Sequence, residues 1–334
     1  MKIAAASCAK LSEDAEQLAW AEIQAAEPDV LLLGGDNVYL ANDALATPAA
    51  LTAGLRAQYK KQFAVPTFKA LLADLKRRGG EVVPIYDDHD FLGDNRCGRD
   101  DRNKRGGAAS LRRAARDEFV RQFAKFGVKA PDSGGVYRVL RRGLVDIFVV
   151  DGRYHRHSLN AEEAARPVAF LSRPQWDWLE RELAQPTSAR YTVLLSGTTV
   201  HNFAADPEVE DRNVESWERY TAAYERLLGL LGDRPGTVVV SGDIHVNRLT
   251  GARGLLEVVT SGVARKTVHA PKRPLRNWAL LTFDQAGMTI EQHSLSKTLA
   301  PKNATRTVRF DDWQLPPLDA VSIRPPVHPP APKR

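Results

Sequence analysis

Short apolar runs that stop on carboxylates constrain this chain more than any other feature. Asp29 to Leu33, Glu81 to Ile85 and Thr237 to Val240 are rich in Val, Leu or Ile, the composition of strands buried on both faces. They are followed by Gly-Gly-Asp-Asn-Val-Tyr (Gly34 to Tyr39), Tyr-Asp-Asp-His-Asp (Tyr86 to Asp90) and Ser-Gly-Asp-Ile-His (Ser241 to His245). A sheet of such strands lifts the charged groups onto one rim. Carboxylates gathered there repel one another and resist desolvation unless cations compensate them. The chain therefore reads first as a metallohydrolase.

The rest of the chain keeps the same rhythm. Strands are expected at Lys2 to Ser7, Gly135 to Leu140, Leu144 to Asp151, Tyr191 to Ser196, Leu255 to Thr260, Asn277 to Asp284 and Met288 to His293, besides the three above. Helices are expected at Ser12 to Ala26, Pro48 to Phe63, Pro66 to Arg78, Ala108 to Phe126, Arg173 to Ala184 and Val214 to Leu231. In the fourth, Leu111, Ala115, Phe119, Phe123 and Phe126 recur at near-helical spacing and mark a core face. Ten strands and six helices imply one α/β domain with two packed sheets, over residues 1–300. From Pro301 the rhythm stops and prolines accumulate, which excludes a long helix. Residues 301–334 are expected to be an extended tail draped on the domain or disordered, with Phe310 and Trp313 as anchors for its first part.

Charge narrows the partners. The eight Lys and Arg between Arg96 and Arg116, set against Asp100 and Asp101, account for the whole net charge of +6. The remainder is near neutral, so a general nucleic-acid binder is not expected. One basic segment after a candidate site suits a small anionic substrate. Two cysteines are too few for a disulfide framework, and no apolar run is long enough to span a membrane. No export signal is evident, which makes the cytoplasm the expected compartment. Composition leaves the oligomeric state open.

Each motif has a chemical reading. Asp36 and Tyr39 stand as Asp-x-x-Tyr after a Gly-Gly turn, and a carboxylate can bridge two cations while a phenolate suits a hard trivalent one. In Asp87-Asp88-His89-Asp90, a carboxylate can hold a metal while the neighbouring histidine faces a substrate oxygen. Asp243 and His245, two residues apart, point the same way if the strand continues. Arg153, two residues after Asp151, could clamp a phosphate bidentately. Asn37, Asp87, Asp90, Asn95, His155, His201 and Asn202 are candidates for surrounding or substrate-facing groups. Loops Arg96 to Gly107 and Phe203 to Val214 are long enough to select substrates.

These segments resemble the PhoD-like alkaline phosphatases, a branch of the calcineurin-like metallophosphoesterases. The likeness extends to Ala6-Ser7-Cys8, to LVDIFVVDGRYHR (Leu144 to Arg156), to LSRPQWDWLEREL (Leu171 to Leu183) and to ESWERY (Glu215 to Tyr220). It runs in order from about residue 2 to 295, with the proline-rich tail outside it. It implies an α/β/β/α sandwich of two mixed sheets flanked by helices. It also implies that Asp36 bridges two metals, that Cys8, Tyr39 and His245 complete a ferric site, and that Asp88 and Asp243 hold the second. The oxygen-rich second site suits Ca2+, with Mg2+, Mn2+ or Zn2+ as alternatives. His89 and Arg153 would be the catalytic side chains of a phosphomonoesterase that uses a metal-activated hydroxide. Two rivals stand beside it: a phosphodiesterase of phospholipase-D-like activity, and a polyanion-binding module whose metal centre is structural. The family's Asp-Asp-His-Glu is here Asp-Asp-His-Asp, and its twin-arginine export signal is not seen.

Overall fold

A computed structural model describes residues 1–40, 47–99, 108–206, 209, 215–232, 234–266, 275–294 and 304–309. The basic stretch 100–107, most of 207–214 and the proline-rich tail with Phe310 and Trp313 lie outside the described residues.

Twelve strands form two six-stranded sheets. The first holds β1 (Lys2–Ala6), β2 (Val30–Gly34), β3 (Glu81–Ile85), β10 (Trp278–Phe283), β11 (Gly287–His293) and β12 (Ala304–Arg309), in the order β12-β11-β10-β1-β2-β3. The second holds β4 (Arg138–Arg142), β5 (Val145–Val149), β6 (Tyr191–Leu195), β7 (Thr237–Ser241), β8 (Arg248–Ala252) and β9 (Leu255–Val259), in the order β4-β5-β6-β7-β9-β8. Each sheet is mixed. β1, β2 and β3 are parallel, as are β5, β6, β7 and β9, and the remaining pairings are antiparallel. The parallel strands are buried along their length because helices and the other sheet cover both faces.

Side-chain alternation builds the layers. On β5, Val145, Ile147 and Val149 enter the larger apolar cluster, between the sheets, while Phe148, and Val150 just past its end, face the other way. That second face packs under α6 (Arg173–Leu183) and α7 (Thr221–Leu231), through Trp176, Leu179, Leu227 and Leu231. The larger cluster also takes in α1 (Ala19–Ala25), α2 (Pro48–Ala64), α3 (Pro66–Arg77) and α4 (Ala108–Phe123), where Trp20, Tyr59, Phe68 and Phe119 are buried. Removing one such aromatic would cost about 3–5 kcal/mol. Among the described residues, no helix is long and apolar enough to cross a membrane.

All ten expected strands form, and the differences are local. The first helix starts at Ala19 rather than Ser12, because Gln17 has φ 46° and Asp14 Oδ1 accepts from the Gln17 N–H in a tight turn. Thr199 and Val200 carbonyls take the N–H groups of Trp217 and Glu218, so the last helix begins only at Thr221. A four-residue helix, α5 (Ala161–Ala164), and β8 were not expected. β8 is weakly apolar and is held mainly by its antiparallel pairing with β9. Residues 304–309, expected within the tail, instead pair with β11 as an edge strand.

Candidate metal centre

The parallel strands of both sheets end on one rim, where open α/β folds gather ligands. Main-chain hydrogen bonds sew the two rims together. Gly262 and Val263, after β9 of the second sheet, donate to the Ser7 carbonyl after β1 of the first, while within the first sheet Ala9 donates to the Asp36 carbonyl after β2. Two glycines allow the approach. A Cβ on Gly35 would lie 2.6 Å from Asp87 Cβ, and one on Gly242 would lie 2.4 Å from Ser7 Oγ.

The turn out of each strand is strained. Cys8, Asp36, Asn95, Asp243 and His245 have φ of 60°, 52°, 54°, 78° and 59°, five of the nine non-glycine residues with positive φ among the described residues. Such conformations cost of order 1 kcal/mol or more each and cluster at functional sites. Here they turn side chains from different strands toward one point. Three groups of potential ligand atoms, each within 4.8 Å of one another, result: Cys8 with Asp36 and His245, Asp36 with Asp88 and His89, and Asp87 with Asp88 and Asp243. A cleft over them is lined by Asp36, Asp88, His89, Asp94, Asn95, Asp243 and His245.

Asp36 is the hub. Its Oδ2 accepts from the Tyr39 hydroxyl at 2.9 Å and lies 3.8 Å from Cys8 Sγ, and its Oδ1 accepts from the His89 N–H at 3.2 Å. Asp88 accepts from the N–H groups of His89 at 2.7 Å and Asn95 at 2.5 Å. Cys8 Sγ lies 3.1 Å from Ser261 Oγ, which accepts from the His245 N–H. Arg265 Nη2 reaches His245 Nδ1 at 3.2 Å, and its guanidinium lies 5.5 Å from the Tyr39 ring. The His89 ring sits 4.3 Å from that of Tyr39, and its Nε2 is 3.7 Å from Asp94.

The electrostatics fit a cation site. Burial pushes the Asp36 carboxyl well above the ordinary range, and the charges of Asp88, Cys8, Asp87 and Asp90 add to it. Burial raises Asp243 too, with Asp87 and Asp88 as further causes. Asp88 is the exception: burial opposes its charge, yet Arg153, His89 and the Asn95 N–H hold it below the ordinary range. Burial raises the Cys8 thiol and the Tyr39 phenol, and burial with Arg265 and His89 keeps His245 neutral. Several buried acids therefore resist charging on protein groups alone. Cations would reverse that balance, and the donors present, carboxylate, phenol, thiol and neutral imidazole, suit them.

The other candidate residues fall elsewhere. Arg153 does not face the cleft. It is buried, with Nε and Nη2 forked onto Asp87 at 2.6 and 2.9 Å and Nη1 on Glu215 at 2.6 Å, so it has no fork left for a phosphate. It positions Asp87 instead. Asp90 does not line the cleft; it accepts from the N–H groups of Asp36, Asn37 and Asp87 and from Tyr59, tying two turns together, and burial raises its carboxyl to about 7. Asn37 donates to Asp90 and to the Ile85 carbonyl. His201 and Asn202 lie away from the cleft. The His201 ring is spent on the Tyr224 hydroxyl and the Leu255 carbonyl, and Asn202 caps a turn with Ala204 and Glu218. His155 bonds to the Ser133 carbonyl. Ser261, Arg265 and Asp94 were not anticipated. Ser261 carried a signal, since it follows β9 as Cys8 follows β1.

A family model described as PhoD-like phosphatase matches residues 3–297. Among solved structures, one described as PhoD is 19% identical, with 92% of this chain and 68% of that chain covered and a TM-score of 0.66. A dimetal phosphatase from Danio rerio is 12% identical over 93% and 99% of the two chains, at a TM-score of 0.51. GAP50, described as the anchor in the inner membrane complex of Plasmodium, is 11% identical over 93% and 89%, at 0.52. At these identities the structures share the fold of two mixed sheets flanked by helices. No curated protein sequence matches the chain.

Proposed function

This chain belongs to the PhoD-like phosphatase family, and on that premise we propose that its rim of strand-end donors holds two cations for the hydrolysis of small phosphate esters. Membership makes it a phosphoric ester hydrolase whose chemistry depends on metal. The finer reading is carried by one observation: three donor groups converge and are chained through Asp36 and Asp88. Asp36 would be shared between the cations. Cys8, Tyr39 and His245 would complete one site, and Asp88 and Asp243 the other. The phenol favours Fe3+ at the first site, and the carboxylates favour Ca2+ or another hard divalent ion at the second. When bound, such ions neutralise phosphoryl oxygens and acidify a water.

The protein's own groups supply the rest. His89 faces the cleft with its main-chain N–H shared between Asp36 and Asp88 and its ring beside Asp94. It is placed to give a proton to the leaving alcohol, and Asp94 would stabilise the charged ring that does so. Arg153 holds Asp87 rigid and lowers Asp88, so a carboxylate stays charged where a cation needs it. The Asn95 N–H fixes the direction of that carboxylate.

Metal analysis with a visible spectrum of the purified protein tests this. The expected result is iron with a tyrosinate band that Tyr39→Phe removes. Zinc at both sites without such a band would overturn the assignment. Rates on p-nitrophenyl phosphate against bis(p-nitrophenyl) phosphate separate monoester from diester hydrolysis. Equal, metal-independent rates on both would sink the mechanism.

A further inference from the structure

Tyr39, whose hydroxyl reaches Asp36, also walls a second hollow, of about 300 Å³, at the lower end of the range for small-molecule sites. Its polar lining is opposite in character to that of the cleft. Lys10 and Ser12 come from the loop after Cys8, Gln58, Lys61 and Gln62 from α2, and no carboxylate lines it. Lys10 Nζ lies 5.5 Å from the Tyr39 ring centre and pairs with Glu13 at 2.8 Å. Lys61 is exposed. The Gln62 amide is spent on a reciprocal pair with Gln17 and the Lys10 ammonium is shared with Glu13, which leaves Gln58, Ser12 and the Lys61 ammonium for a visitor.

The hollow adjoins the place where a leaving group would depart. His89 and Lys10 both stand against the Tyr39 ring, at 4.3 and 5.5 Å. Tyr39 is thus the wall between His89 and the hollow, and an alcohol long enough to pass its ring would meet Lys61 and the Glu13-paired Lys10. We propose that this hollow receives the leaving-group part of the substrate and selects phosphate esters whose alcohol carries a second anionic group, a carboxylate or a phosphate. The inference rests on the two-cation reading above, with His89 at the leaving oxygen. It adds Lys61 as a specificity residue outside the catalytic machinery.

Matched substrate pairs test it. Glycerol 2-phosphate against 2-phosphoglycerate adds a carboxylate, and fructose 6-phosphate against fructose 1,6-bisphosphate adds a phosphate. The wild-type protein, loaded with metal, should prefer the anionic member of at least one pair by about fivefold in kcat/KM, the scale of one partly exposed ion pair. Which pair shows it identifies the group selected. Lys61→Glu should abolish that preference through KM, by about tenfold, and change the neutral member less than about twofold. Calorimetry of glycerate against glycerol gives a readout without turnover, with tighter glycerate binding lost in Lys61→Glu. Equal rates within both pairs, or a variant that slows both members alike, overturn the inference and leave the proposed function standing. If no ester is hydrolysed by the loaded protein, the two-cation reading itself falls, and glycerate binding then decides the hollow alone.

Discussion

Two sets of buried carboxylates lie within the same few turns, and they differ in how many protein donors they satisfy. Asp151 accepts from the N–H groups of Val136, Arg153 and Tyr154 and from the Tyr86 hydroxyl. Glu257 accepts from the N–H groups of Val200 and His201 and from Ser241. Asp90 is held as fully. In the cleft, Asp36 accepts from the Tyr39 hydroxyl and the His89 N–H, Asp88 has two N–H donors, and among the described residues no donor is seen on the half-buried Asp243 carboxylate. Saturated carboxylates are rivets: their bonds join loops that lie far apart in the chain. Unsaturated ones are unfinished coordination, and burial makes that state costly unless something else supplies positive charge.

Substitutions should split along this line. The largest effect is expected for Asp36→Asn, with kcat/KM lower by about four orders of magnitude, since several kcal/mol of metal assistance is at stake. The urea midpoint of the metal-free protein should not fall. A drop in stability matching the drop in activity would place Asp36 among the rivets. Asp151→Ala should do the reverse and lose about 3–5 kcal/mol in urea denaturation, because it strands four buried donors. A stable variant with normal melting would erase the distinction. Arg153→Lys lies between the sets. It keeps the charge and loses the fork, so about a thirtyfold loss in kcat/KM is expected with a smaller loss of stability. Equal activity would show that Asp87 needs only a nearby cation. The smallest effect should come from His201→Phe, costing about 1 kcal/mol in melting and leaving kinetics unchanged. A kinetic defect there would mean that the site extends beyond the cleft.

The same contrast explains what the sequence made legible. That Asp36, Asp88, Asp243 and His245 gather at one rim was legible because each stands where an apolar run ends, a local pattern. The ten expected strands were legible for the same reason, as short apolar runs between polar turns. Arg153 was misjudged because its partner, Asp87, lies far away in the chain, and Asp-x-Arg looks the same whether the guanidinium faces solvent or a buried acid. His201 also follows an apolar strand, but only the fold shows that its ring meets Tyr224 on α7. Arg265 had no local signal, since it matters only through its reach to His245 and Tyr39. Residues 304–309 gain their strand from β11, and their own sequence gives little hint of it.

The left-handed turns at the rim carry a last consequence. At Cys8, Asp36, Asp243 and His245 a glycine would relax the backbone, yet each would remove a side chain that the proposed two-cation site uses. Selection for durability and selection for catalysis pull these four positions in opposite directions. Asn95 differs, because its contribution to Asp88 comes from the main-chain N–H. Among the five described rim residues with this backbone, it is where a more heat-resistant protein could be sought, by Asn95→Gly, without surrendering that bond.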